Sequence, residues 1–312
     1  MLCLAIFVIM KVAVIIVTYN AEPWLDRCFS SLRTSSVPLT TIVVDNLSKD
    51  NTVERLRRDY SEVQLICNDH NSGFGQANNI GMRVALEQGA DYMFLLNQDA
   101  WIFENTIAEL ITVAQANPQA GIISPVHLTA SEQQLDSYFE SYVAEAGLHL
   151  PLPNRNDLPQ VMKIDYVNAA AWLLPRHTIE TVGGFDPLFF HYGEDNNYAH
   201  RVLFHGLCTL IATRSLVVHD RHGAPRAMNH DYGWFKNYPV VAFSDINHSI
   251  LSTLIKTAPF NLKMLWRLFL AVIKSNSTAE ENIKEGYARL FWSLSKIKKS
   301  RQTNCRPGKS WL

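Results

Sequence analysis

Glu194 and Asp195 stand side by side in "FFHYGEDNNYAHR", Phe189 to Arg201, directly after an aromatic run and at the start of a stretch with helical spacing. Acids of this kind can exchange a proton or hold a hard cation. They can also simply complement a helix dipole, as carboxylates in a first turn do. Their setting among Phe189, Phe190 and Tyr192, groups that usually seek a core, keeps both accounts open. Other polar groups gather at the ends of apolar runs. Thr18, Tyr19 and Asn20 follow the first run, Asp45 and Asn46 the second, Asn68 and Asn71 to Gly75 the third, and Asn97 to Asp99 the fourth. One such residue alone caps a helix or closes a turn. A rim of them at successive strand ends is what a ligand site on an α/β sheet requires.

The elements that would position this rim are legible from periodicity. "VAVIIV", Val12 to Val17, is short, β-branched and followed by polar residues, as a strand buried on both faces should be. "TTIVVDN", "EVQLICN" and "DYMFLLNQDA" repeat the pattern. Between the first two runs, "EPWLDRCFSSLRTSS" has helical spacing with a proline near its start, and "HNSGFGQANNIGMRVALEQGA" reads as a glycine-containing loop and a helix ending at Gly89. Strands alternating with helices predict a doubly wound α/β sheet. "GIISPVHL", "VNAAAWLLPR" and "LCTLIATRSLVVH" are expected later strands, while Gln133 to Asp165, around "LPLPNRNDLPQ", reads as an excursion or a flexible acceptor loop. From Tyr232 onward the pattern is helical. The expected division is a catalytic domain over 1–228 and a helical segment with a basic tail over 229–312.

With 312 residues, 47% hydrophobic and 18% charged, the chain is globular and long enough for a sizeable core. A formal charge of -1 gives no reason to expect a nucleic-acid partner. The scattered Cys3, Cys28, Cys67, Cys208 and Cys305 form neither a disulfide framework nor a zinc knuckle, which suits a reducing cytosol. "MLCLAIFVIM" lacks a basic leader and a small-residue cleavage site, and Lys11 interrupts it, so secretion is not expected. Residues 1–9 read as an upstream extension or an apolar anchor. A dinucleotide fold would place G-x-G-x-x-G after the first strand, where "TYNAEPW" stands. "GFG" lacks the third glycine, and "GKS" at Gly308 lacks the rest of a P-loop.

In order, "VIIVTYN", "IVVDNLSKDNT", "NSGFGQANNIG", "YMFLLNQDA" and "GGFDPLFFHYGEDNNYAHR" resemble glycosyltransferase family 2, the inverting GT-A class, and especially its rhamnosyltransferase-like members, over Lys11 to Gly223. The resemblance implies a GT-A nucleotide-diphospho-sugar transferase fold, with a mostly parallel central sheet flanked by helices and a C-terminal helical appendage. It implies a nucleoside diphosphate sugar lying over the strand ends, and an acceptor hydroxyl attacking the anomeric carbon in line. The departing diphosphate would be stabilised by Mg2+ or Mn2+. Asp99 matches the last acid of the family's D-x-D, with Asn97 in the first position. His219 resembles the distal metal-site histidine, although Asp220 and His222 stand beside it and a lone strand-end histidine is often structural. Asp45 matches the aspartate at the base or ribose, and Thr18 and Asn20 the adjoining wall. Asn71, Gly73 and Asn78 correspond to the loop and helix beneath the nucleotide sugar, where a cap with glycine turns is the other reading. Asp195 is implied as general base and Glu194 as its orienting or acceptor-binding neighbour, with Phe189, Phe190 and Tyr192 screening water or forming a sugar platform. Asn197 departs from the pattern, since many relatives carry an acid there. Arg201 is expected to pair with an acid ahead of reaching the diphosphate, and Trp172 reads as core.

The implied function is an inverting hexosyltransferase-type enzyme. It would use dTDP-rhamnose or a UDP-hexose and a glycan or lipid-linked oligosaccharide acceptor in surface polysaccharide synthesis. It would be cytoplasmic, its apolar helix and basic tail suiting peripheral contact with an anionic membrane face, unless that tail is only a solvated end. Two rivals remain. A sugar-nucleotide nucleotidyltransferase should open with a glycine-rich basic loop, which "TYNAEPW" is not; a non-catalytic sugar-nucleotide-binding scaffold has no need of Asp99 and Asp195.

Overall fold

The computed structural model describes residues 10–152, 157–221 and 233–312. The expected extension over 1–9, the 228/229 boundary and His222 lie outside the described residues. The chain runs β1 (Val12–Thr18), α1 (Leu25–Arg33), β2 (Leu39–Asp45), α2 (Thr52–Asp59), β3 (Gln64–Cys67), α3 (Phe74–Glu87), β4 (Tyr92–Asn97), β5 (Ala100–Ile102), α4 (Thr106–Ala116) and β6 (Ala120–Leu128). It continues with α5 (Ser137–Glu145), β7 (Val161–Ile164), β8 (Ala171–Pro175), α6 (Arg176–Val182), α7 (Glu194–Phe204), β9 (Cys208–His219), α8 (Tyr238–Ser244), α9 (Ile250–Ile273) and α10 (Ser277–Asn304).

Nine strands form one sheet in the order β3-β2-β1-β4-β8-β6-β9-β5, with β7 on β9. The four strands read first from the sequence are parallel, and β8 enters antiparallel between β4 and β6. Alternation along β1 explains the two layers. Val12, Val14 and Ile16 pack with Leu25, Phe29 and Ile107 on one face, while Ala13 and Ile15 pack with Ala77, Met82 and Ala85 on the other. At Gly81 a Cβ would lie 2.5 Å from Ile15 Cγ2, so α3 can rest directly on β1 only because that residue has no side chain. Gly89, at φ +78°, closes α3 where the sequence placed its end.

Register aligns the strand ends. Thr18 pairs with Asp45, Asp45 with Cys67, and Val17 with Asn97, so the polar tips share one edge of the sheet. The stretch read as an excursion holds α5 and β7. Its strand was missed because "VMKI" is short and only half-buried, a weak period-two signal.

The C-terminal helices pack back on the α/β unit. Asp186, in "GGFDP", accepts from Ser300 Oγ at 2.6 Å and Asn304 Nδ2 at 2.7 Å, anchoring α10. Beyond α10, Gly184 N donates to Ser310 O at 2.8 Å and Trp311 Nε1 to Asn304 Oδ1 at 2.7 Å. The basic tail is therefore tied to the domain and not a solvated end, and Arg301 is occupied by the Phe243, Asp245 and His248 carbonyls.

Candidate active site

Three groups of residues line the polar edge. The first lies where β5 meets β9. Ala100 pairs with His219 in an antiparallel register, which sets Asp99 next to the end of β9. Asp99 Oδ1 lies 3.4 Å from His219 Nε2, and Asn97 Nδ2 lies 3.5 Å from the same nitrogen. The Asn97 Oδ1 carbonyl is buried and has no hydrogen-bond partner among the described residues. Behind His219, Asp136 caps α5 through the Tyr138 and Phe139 amides and pairs with Arg221 at 2.5 Å. Burial alone would raise its pKa; Arg221 and these amides hold it below the usual carboxylate range. The neighbouring His127 is driven down to about 3 by burial and by His219, so it stays neutral.

A divalent cation suits this donor set: one carboxylate, one imidazole and one unclaimed amide oxygen. The described residues contain no cluster of three or more His, Cys, Asp or Glu that could hold a metal unaided. Phosphate oxygens or water would have to complete the shell, the usual arrangement for magnesium with nucleotides.

The second group is the wall formed by the ends of β1, β2 and β3. Asp45 is buried, and its Oδ1 accepts from Thr18 Oγ1 at 2.9 Å and Ser48 Oγ at 2.5 Å, its Oδ2 from Ser48 N at 2.9 Å. Asn20, at φ +51°, donates its amide to Ser48 Oγ and accepts from Lys49 N at 2.7 Å. Thr18, Asn20 and Asp45 are thus brought together, each engaged with protein groups. Asn71 Oδ1 accepts from Gly73 N at 2.9 Å, and Asn78 Nδ2 donates to Phe74 O at 3.0 Å, so both shape the start of α3. Gly73 is required twice over: its φ is +81°, and a Cβ there would lie 2.1 Å from Phe190 O.

The third group is the acid pair. Gly193 caps α7 at φ +99°, so both acids occupy its first turn. Asp195 is half-buried and accepts from Tyr166 Oη at 2.6 Å, Asn196 N at 2.8 Å and the Ala169 amide. Burial nevertheless wins, raising its pKa against those donors. Glu194 lies buried against Gly75 and is pushed up to about 8, by burial first and the Asp195 charge second. Its Oε2 has no hydrogen-bond partner among the described residues. Both acids therefore hold their protons more tightly than ordinary carboxylates, and Asp195 is the one that donors face. Tyr166 is raised well above its ordinary value by burial and by Asp195, and so remains a donor.

The first and third groups meet through backbone. Asn97 N donates to Ala170 O at 2.9 Å, and Asp195 accepts from the neighbouring Ala169 amide. One two-residue segment before β8 thus touches the end of β4 and the first turn of α7.

Several residues to which the sequence assigned no role of their own organise this edge. Asn46 donates to Gly73 O and accepts from Asn68 and Ser72. Asn79 clasps the Phe185 backbone in both directions at 2.7 and 2.8 Å. Gln98 exchanges hydrogen bonds with Tyr19 across β1 and β4. A buried asparagine inside an apolar helical face was the available signal for Asn79; Tyr166 carried none, sitting in mixed sequence. Two expectations are corrected. Among the described residues Arg201 forms no ion pair: it is fully buried and donates to the Gly184 and Val182 carbonyls at the end of α6, where a helix C-terminus favours a cation. Phe189 is no platform, since it is buried against Val240, Phe243 and Ile297, while Phe190 and Tyr192 stay exposed. Trp172 is core, as read.

With this geometry in view, the chain was compared with known proteins. Residues 13–165 match the profile of Glycosyl transferase family 2. That stretch belongs to this family. Among curated family 2 relatives it is 25% identical over 236 residues to N-acetylglucosaminyl-diphospho-decaprenol L-rhamnosyltransferase of Mycobacterium tuberculosis, covering 67% of this chain and 75% of that one. It is 26% identical over 206 residues to dTDP-rhamnosyl transferase RfbF of Shigella flexneri, covering 66% and 67%. Among solved structures, mannosyltransferase PcManGT of Pyrobaculum calidifontis, in complex with GDP-Man and Mn2+, superposes with a TM-score of 0.57 at 18% identity, covering 95% of this chain and 84% of that chain. The fold is GT-A, and the protein is a glycosyltransferase.

Proposed function

We propose that this transferase moves a sugar, with inversion, from dTDP-rhamnose or a UDP-hexose to a hydroxyl of a glycan or lipid-linked oligosaccharide. The observation that carries the mechanism is Asp195: a half-buried carboxylate of raised pKa, held by Tyr166, the Asn196 amide and the amide of Ala169, whose neighbour Ala170 accepts from Asn97 N. Asp195 takes the acceptor hydroxyl proton as the oxygen attacks, and a positioned base of this kind contributes about 10²–10⁴ in rate. Glu194, buried beside it against Gly75 and holding its proton more tightly than an ordinary acid, is the orienting neighbour. Tyr166 and the Ala169 and Asn196 amides fix the carboxylate's direction. Thr18, Asn20 and Asp45 form the nucleotide wall, with Asn71, Gly73 and Asn78 setting the floor of the sugar site. Asp99, His219 and Asn97 Oδ1 would hold Mg2+ or Mn2+. When bound, the cation would supply positive charge to the departing diphosphate.

The M. tuberculosis and S. flexneri relatives support a deoxyhexose donor and, in the first case, a lipid-linked acceptor. In this reading residues 1–228 are the catalytic domain and 229–312 an appendage bearing on its acceptor side, where Phe189 meets α8 and α10. The test is nucleotide release from a panel of donors with Mn2+ and lipid-linked acceptors. Turnover is expected with a dTDP or UDP sugar and abolished in Asp195→Asn. Undiminished turnover in that variant refutes the base, and saturable nucleotide binding without turnover on any acceptor favours the scaffold.

A further inference from the structure

The acid pair and the nucleotide wall leave one large feature unused, the outward side of α9. Its packing face is a regular stripe of Thr253, Thr257, Met264 and Ala271, buried against the rest of the protein. At roughly 100° per residue the opposite side carries Leu251, Ile255, Leu262, Trp266, Phe269 and Ile273, all exposed and between 52% and 67% accessible. Monomeric soluble proteins rarely leave a contiguous apolar surface of such extent uncovered.

Charge identifies what covers it. Along one flank of the apolar stripe, between it and the buried one, run Lys256, Lys263, Arg267 and Lys274, all exposed, and α9 contains no acidic residue. Two copies of α9 set face to face would juxtapose these cations with no acid on the helix to pair them. On α10, Glu280 is engaged by Lys284 and Glu285 by Lys236 and Arg289, which leaves Glu281 as its one exposed acid outside these pairs, against four cations on α9. No helix among the described residues is long and apolar enough to cross a membrane. An exposed apolar face edged by cations, with a tryptophan in it, matches a helix that lies in the plane of a bilayer surface.

We infer that α9 is a monotopic docking surface for an anionic lipid bilayer, seated with Leu262, Trp266 and Phe269 among the acyl chains and its cations at the headgroups. The sequence assigned membrane contact jointly to this apolar helix and the basic tail; the inference rests on α9, where an exposed apolar face and a row of cations share one helix. The inference stands independently of the catalytic reading. Its consequence for that reading is positional: the helical appendage holds Phe189 beside the acid pair, so docking would bring the acceptor side of the enzyme to the bilayer.

The test is cosedimentation of the full chain with vesicles of phosphatidylcholine alone and of phosphatidylcholine mixed with phosphatidylglycerol. Binding is expected to the anionic vesicles and to weaken with salt. At roughly fivefold per cation at an anionic surface, Lys263→Gln/Arg267→Gln/Lys274→Gln should lower partitioning by about 10². Leu262→Ser/Trp266→Ser/Phe269→Ser should abolish it. These positions are exposed, so thermal unfolding and nucleotide binding should stay at wild-type values, and those measurements verify that each variant is folded. Equal binding to both vesicle types, or wild-type binding by either triple variant, overturns the inference. So does concentration-dependent dimerisation, lost in the apolar variant, without vesicle binding, which would make this face a contact between copies.

Discussion

The donor wall and the acid pair sit on the same edge of one sheet and are built on opposite principles. Around Asp45 each carboxylate oxygen is met by a donor from Thr18 or Ser48, and Asn46 and Gln98 tie adjoining tips together. At Glu194 an oxygen is left without a partner, and both acids titrate above the ordinary carboxylate range. A closed network fixes shape, whereas an underserved carboxylate keeps a proton affinity useful in chemistry. On the proposed function, recognition is preorganised on one side while reactivity is stored on the other.

Four experiments bear on this contrast. Asp195→Asn should lower turnover by about 10²–10⁴ while leaving donor binding near wild type; a comparable loss of donor affinity, read by titration calorimetry, would merge the two sides into one unit. Gly73→Ala should act on both sides, because the new methyl meets Phe190 O in a backbone conformation that disfavours side chains. A loss of about 1–3 kcal/mol in denaturant unfolding is expected, and unchanged stability would show that the loop yields. Tyr166→Phe removes a donor to the Asp195 anion. The acid limb of the kcat/KM profile, already displaced upward because the base must be ionised, should therefore move up by a further 1–2 pH units, roughly. A fall in turnover with no movement of that limb would leave Tyr166 a packing role only.

Glu194→Gln tests the storage itself. A carboxylate that binds its proton more tightly when folded contributes stability that is complete below its unfolded pKa, about 4, and is lost as pH rises through its folded value of about 8. Wild-type stability should decline across that window by up to ~1.4 kcal/mol per unit of displacement, and the glutamine variant should flatten the decline. Parallel curves for the two proteins would mean that Glu194 ionises as an ordinary surface acid.

The legible part of the fold was its parallel half. β1 to β4, α3 and the glycine that ends it follow from β-branched runs, helical spacing and Gly89, all local signals. β5 and β7 were not visible, because strands of three and four residues lack a period to detect. Among candidate site residues, Asp45, Asn97, Asp99, Glu194 and Asp195 were read from motifs. Asn79 and Tyr166 were not, because their importance lies in partners 106 and 29 residues away.

What the sequence determined by itself was the order of the strands, the polarity of their tips and the family to which they belong, since each is written in neighbouring residues. Tertiary structure alone decided that Arg201 caps a helix, that the chain of the basic tail packs on the domain, that one side of α9 faces outward and that burial raises the pKa of both Glu194 and Asp195. These outcomes depend on burial and on contacts between distant segments. The free energy of a charge is set by what surrounds it, and no local pattern records those surroundings.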